Sequence, residues 1–156
     1  MVKLRLHFIH ILIILMLVLV DQYSKGFILD LADKLPIKIA SFFNIVLALN
    51  SGVTFGLFNN AGTMIFNIIN WGTILISAFL IVLMAREKFL AKSIPLALII
   101  GGAIGNIMDR LRYGAVIDFL DFHIAKYHWP AFNFADSFIV IGVFLYLVTS
   151  NMKESK

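Results

Sequence analysis

Two carboxylates stand out in a chain that carries few charges. Asp118 lies in AVIDFL and Asp136 in FNFADS, each among apolar residues, where an ionised group is costly. Brought within hydrogen-bond reach in a dry site, two such groups cannot both ionise easily, so they share one proton. One then serves as base and the other as acid. Such a pair can activate a water against a peptide carbonyl and hand a proton to the departing amine. Asp136 also has a structural use, because an Asp at the mouth of a helix caps backbone N–H groups and faces the positive end of the dipole. Asp118 has no such use. Asp121, just beyond it, reads as a solvated neighbour.

Other polar residues fall at helical spacing. Asn106, Asp109 and Arg110 stand at i, i+3 and i+4 on one helix face, with Asp109 and Arg110 expected to offset each other's charge. Asp21 and Lys25, at i and i+4, are expected to pair within their own helix. Ser24 is next to Lys25 but points elsewhere, which argues against a Ser/Lys hydrolase. His123 and His128 lack a third ligand at a familiar spacing, so no metal site is expected. His7 and His10 read as interfacial. Zero cysteines exclude thiolate nucleophiles and disulfides.

The elements that must position these groups belong in a membrane. Of 156 residues, 61% are hydrophobic and 14% charged, which departs strongly from a soluble domain. Four apolar segments approach the length of a bilayer crossing: Leu6 to Leu29, Gly62 to Ala85, Ser93 to Arg112, with Pro95 near its first turn, and Ala135 to Ser150. Lys3, Arg5, Arg86, Lys88, Lys92, Lys153 and Lys156 flank one side, which places both termini in the cytoplasm. Seven of the nine acids then lie on or near the opposite face. The connection from Asp30 to Ala61 shows partial alternation and predicts a small sheet on the outer surface. The expected fold is therefore an all-α membrane protein of four transmembrane helices, a single domain over 1–156, with an extracytoplasmic sheet between the first and second. Gly101 and Gly105 form a small-xxx-small pattern that lets a neighbouring helix approach closely. Asp118 and Asp136 are expected at the outer ends of two adjacent helices.

These motifs together resemble the lipoprotein signal peptidases, the signal peptidase II family. The resemblance rests on DQYSK (Asp21 to Lys25), NSGVTF (Asn50 to Phe55), GGAIGNIMDR (Gly101 to Arg110), GAVIDF (Gly114 to Phe119) and FNFADS (Phe132 to Ser137), in the family's order. It implies an aspartyl endopeptidase of the bacterial cytoplasmic membrane that removes signal peptides from prolipoproteins, cutting before a diacylglyceryl-modified cysteine. The family's catalytic dyad falls on Asp118 and Asp136. Asn50, Asn106, Arg110 and Asn133 fall in the polar lining that orients substrate or stabilises the dyad, and Asp21, Lys25 and Asp109 match positions with a structural role. Val53 and Thr54 stand where the family often has alanines. The resemblance further implies no metal or organic cofactor, no nucleic acid, a monomer among membrane lipids, and inhibition by cyclic peptides such as globomycin.

A rival reading from the residues is a small channel or transporter with Asp109, Arg110, Asp118 and Asp136 along a polar path. The clustering of acids at one face, instead of at the midplane, weighs against it. A purely structural subunit would explain the glycines but leave Asp118 without a purpose.

Overall fold

Apolar runs that cross a bilayer become helices because no water is present there to satisfy the backbone. The computed structural model describes the backbone of residues 2–51 and 61–150 and the side chains of 5–51 and 64–150. Val53 and Thr54, and the basic residues Lys153 and Lys156, lie outside the described residues. Among the described residues four α-helices form: α1 (Val2–Asp30), α2 (Ala61–Arg86), α3 (Leu90–Tyr113) and α4 (Phe134–Ser150). The stretches Arg5–Asp30, Met64–Arg86 and Leu90–Tyr113 are long and apolar enough to cross a membrane. α4 is a shorter apolar helix of 17 residues.

α3 is the centre of the bundle and packs against α1, α2 and α4. Its Leu96, Ala97 and Ile100 are buried with Met84 of α2, and Ile13, Ile14 and Tyr146 pack around them. The other faces of α1, α2 and α4 expose Phe8, Leu19, Leu75, Phe79, Phe144 and Leu147. In water so much apolar surface would be untenable, and in lipid it is the ordinary outer wall.

Glycines set the helix separations. A Cβ on Gly101 would stand 2.9 Å from Leu17 Cδ1, and one on Gly105 would run into Asp21 Oδ2, so this glycine pair admits α1. Gly102 faces the other way, onto the Ala135 carbonyl and Ile139 of α4. Three glycines within little more than one turn thus let α3 hold two neighbours at once.

Three expectations need correction here. α3 starts at Leu90, earlier than the expected Ser93, so Pro95 sits in the second turn and forgoes a bond to the Ala91 carbonyl. His10 is not interfacial but buried on α1, with Nε2 2.8 Å from Ser93 Oγ of α3. The sheet, finally, does not come from the first connection alone. β1 (Ile37–Ala40) and β2 (Phe43–Asn50) precede α2, whereas β3 (Val116–Ile124) and β4 (Tyr127–His128) follow α3. All pair antiparallel in the order β1-β2-β3-β4. The reason is physical, since an isolated two-stranded hairpin is marginal and needs a further strand.

Candidate active site

Gly114 ends α3 in the left-handed conformation, φ 68°, with its N–H on the Arg110 carbonyl at 3.1 Å. Only glycine adopts this backbone without strain. The chain turns there into β3, whose VIDFLDFHI is rich in β-branched and aromatic residues. Asp118 therefore lies on a strand opposite Ala48, not at a helix end as expected. After β4 the chain runs back along β3: Trp129 N–H bonds to the Phe122 carbonyl at 2.8 Å, and Leu120 and Phe132 exchange bonds of 2.8 and 3.2 Å. This returning hairpin delivers Asn133 beside Asp118 and starts α4 at that point. A detour in sequence becomes a closure in space.

The mouth of α4 is a reciprocal cap. Asn133 Oδ1 accepts the Asp136 N–H at 2.9 Å, and Asp136 Oδ2 accepts the Asn133 N–H at 3.3 Å. Asn133 is thus the N-cap and Asp136 the third helical residue, which corrects the expectation that Asp136 itself is the cap. Between them, the Ala135 N–H donates to Asp21 Oδ1 of α1 at 3.0 Å. Asp136 Oδ1 stays available and accepts from Asn106 Nδ2 of α3 at 2.7 Å.

Asp118 is held by the same asparagine. Asn133 Nδ2 donates to Asp118 Oδ1 at 2.7 Å, and Asn50 Nδ2, at the end of β2, donates to Oδ2 at 2.9 Å. Asp118 is only 2% exposed. Burial pushes its carboxyl up to about 6, helped by the nearby charge of Asp136 and opposed by the bonds from Asn50 and Asn133. Arg110, half-buried on α3, brings its positive charge within reach of Asp136, Asp109 and Asp118.

Behind these carboxylates lies a closed ionic cluster. Lys25 Nζ is 2.8 Å from Asp21 Oδ2, 2.8 Å from Asp109 Oδ2 and 3.1 Å from Asn106 Oδ1. All four side chains are buried. The Asp21–Lys25 pair is as expected. Asp109, however, pairs with Lys25 of α1, because adjacent helix residues such as Asp109 and Arg110 diverge in direction. A buried ion cluster is tolerable only when its remaining hydrogen-bonding capacity is met. Asp109 Oδ2 also takes the Ile117 N–H at 3.1 Å, and Gln22 Nε2 donates to Asp109 Oδ1 at 2.8 Å. Gln22 Oε1 in turn accepts from Arg112 Nη1 at 2.9 Å. Sequence reasoning missed Gln22. Its only signal was an uncharged polar residue beside Asp21 on the same span.

Asn106 joins the cluster to the carboxylates. Its Oδ1 accepts from Lys25 and, at 3.2 Å, from Asn133 Nδ2, while its Nδ2 serves Asp136. Donors on one end and an acceptor on the other fix the amide's orientation. Ser24 turns aside, donating to its own helix at the Asp21 carbonyl.

Asp121 is not solvated. It is covered on β3 and accepts from Asn44 Nδ2 at 2.9 Å, with His128 Nδ1 at 2.7 Å from its other oxygen. Burial raises its carboxyl, but the bonds from His128 and Asn44 outweigh that and hold it below the ordinary carboxylate range. His123 and His128 stack with ring centroids 4.7 Å apart. Among the described residues no three His, Asp or Glu side chains converge as a metal-binding group.

An apolar groove of about 400 Å³ opens directly at Asp136, lined by Trp129, Phe132, Ser137, Val140 and Ile141. The groove thus puts Asp136 beside a lipid-facing flank of α4.

The family model for signal peptidase (SPase) II matches residues 13–152. The lipoprotein signal peptidase of Syntrophus aciditrophicus is 42% identical over 147 residues, covering 90% of each chain. That of Anaplasma phagocytophilum is 37% identical over 155 residues and 97% of each chain. A solved structure described as a bacterial membrane enzyme, obtained by the in meso method at 1.9 Å, superposes with a TM-score of 0.73 at 31% identity, covering 94% of each chain. The five motifs, the bundle and these likenesses agree, and the chain belongs to the signal peptidase II family of membrane peptidases.

Proposed function

We propose that this peptidase works as an aspartyl endopeptidase, with Asp118 and Asp136 as its catalytic pair, and that it removes signal peptides from bacterial prolipoproteins. The observation that carries this reading is the single residue Asn133, which donates to Asp118 through its side chain and to Asp136 through its backbone. A residue bonded to both carboxylates keeps them facing one reaction space.

In this reading one carboxyl holds a proton while the other takes a proton from water, and the resulting hydroxide adds to the scissile carbonyl carbon. The tetrahedral intermediate then collapses as the C–N bond breaks and the amine receives the retained proton. Asn50, Asn106 and Asn133 orient the pair by donating to it, and Arg110 steadies the negative charge that passes through the intermediate. Asp21, Lys25 and Asp109 hold α1 and α3 so that Asn106 keeps its aim.

The substrate is a diacylglyceryl-modified prolipoprotein cut just before its modified cysteine. Its acyl chains stay in the bilayer and it reaches the site laterally. The single domain, 1–156, crosses the cytoplasmic membrane four times, with both termini inside and the sheet outside, and acts as a monomer that cyclic peptides such as globomycin block. The decisive experiment is cleavage of a lipidated precursor by purified protein. Asp118→Asn and Asp136→Asn are each expected to abolish turnover while keeping a folded, monodisperse protein in detergent; normal cleavage by either would remove that residue from the pair.

A further inference from the structure

Between Asp118 and Asn133 the chain extends further than their meeting requires. β3 runs on to Ile124, turns through Ala125 and Lys126, and returns through Tyr127 to Trp129. Ala125 takes a positive φ of 52°, which keeps the turn tight. The large side chains of this tip are bare: Ile124 is 82% exposed, Tyr127 74% and Trp129 69%. Lys126 Nζ stands 5.7 Å from the Tyr127 ring. Strand alternation puts Phe122 and Ile124 on the face of β3 that carries Asp118, and the Ile124–Tyr127 pairing adds the tyrosine to it. In water such a tip invites aggregation.

Two grooves meet at Trp129. One, about 580 Å³, is the aromatic hollow of the hairpin, which Trp129 lines with Phe122 and Tyr127. The other runs from Trp129 along α4 past Val140 and Ile141, both exposed on an apolar helix. Trp129 is common to both grooves, with apolar surface beside it on the hairpin side and on the α4 side. The medium around that flank of α4 therefore reaches Trp129.

We propose that Ile124–Trp129 is an anchor in the lipid interface on the sheet side of the membrane, with Ile124, Tyr127 and Trp129 among the headgroups and upper acyl carbons. Tyrosine and tryptophan favour this zone because one end of each ring system is apolar and the other is wet. Lys126, with its ammonium over the Tyr127 ring, puts a positive charge at the tip where lipid phosphates lie. Asp118 and Asn133 are the two feet of this hairpin, so the anchor sets the height of the carboxylates relative to the bilayer.

The chain holds only two tryptophans, Trp71 and Trp129. In a Trp71→Phe background, full-length protein in phospholipid nanodiscs reports on Trp129 alone. Bromination of the acyl chains near their headgroup end is expected to quench its fluorescence strongly, since the ring sits at headgroup level. Ile124→Asp in the same background is expected to weaken that quenching at unchanged helical content. Full quenching by aqueous acrylamide with no response to brominated lipid would place the tip in water and overturn the proposal. Protection from acrylamide without bromine quenching, dependent on the number of copies per disc, would assign the surface to a second copy and overturn it equally. Neither readout requires catalysis, so this anchor stands or falls separately from the peptidase reading.

Discussion

Asn133 Nδ2 lies 2.7 Å from Asp118 Oδ1, and the same residue begins the helix on which Asp136 sits. One side chain thus ends a hairpin, opens a helix and orients a carboxylate. Asn133→Ser separates these roles, because serine caps helices as well as asparagine but has no amide to reach Asp118. The helix start is expected to survive, while loss of the buried amide's bonds to Asp118, Asn106 and the Ile117 carbonyl should lower stability by about 1–3 kcal/mol. The rate of precursor cleavage is expected to fall roughly tenfold to a hundredfold, the worth of one hydrogen bond to a charged group. Single-turnover kinetics checks this, and an unchanged rate would show that the Asn133–Asp118 bond has no part in turnover.

Stability should depend on pH through Asp118. Its carboxyl is raised from 3.8 to about 6, so between these values the folded protein binds more protons than the unfolded chain. Stability then falls as pH rises from about 4 to about 6, and the loss is complete above that window. Asp118→Asn cannot ionise. It is expected to unfold at a higher temperature than the parent at about pH 8, with the gap closing at about pH 4. A gap that persists unchanged at both pH values would assign it to something other than this titration.

Removing the cation at the centre of the ionic cluster should be severe. Lys25→Met leaves Asp21 and Asp109 buried without their 2.8 Å partner, at a cost of about 3–5 kcal/mol. Gln22→Ala, which removes one neutral donor from Asp109, should cost about 1 kcal/mol. Denaturation of the two variants in mixed micelles tests the order. A Gln22 variant less stable than the Lys25 variant would contradict it.

Glycine positions give a contrast within one helix type. Gly102→Ala drives a methyl into the Ala135 carbonyl, and Gly142→Ala drives one to within 2.8 Å of the Pro95 carbonyl. Each should cost about 1–3 kcal/mol and loosen α4 from α3. A Cβ at Gly26 or Gly72 would meet nothing within 4 Å, so Gly26→Ala and Gly72→Ala should be neutral or slightly stabilising. Melting all four in parallel reads out whether close approach is the operative constraint.

Local physics was legible in the sequence wherever the partner was local. Asp21 and Lys25 pair at one helical turn, and Gly101 with Gly105 receives α1, because both follow from helix period alone. Asp118 and Asp136 were expected to meet at the ends of two helices, and it is Asn133 that links them. Asp118 belongs to a strand, and VIDFLDFHI does not alternate cleanly because its first four residues are all buried. Half of the sheet comes from that later segment, whose pairing with β2 spans a sequence distance no window can see. Asp121 looked solvated for the same reason, its partner Asn44 lying on another strand. The cap at Asn133 could have been found, since N-x-x-D before an apolar run is a capping-box pattern.

The bond from the Ala135 N–H to Asp21 ties α1 to α4 across 114 positions of sequence. Asp21 Oδ1 therefore lacks this donor until residue 135 is in place. Separation of α4 from α1 strands a buried carboxylate oxygen, so the two helices hold or yield together.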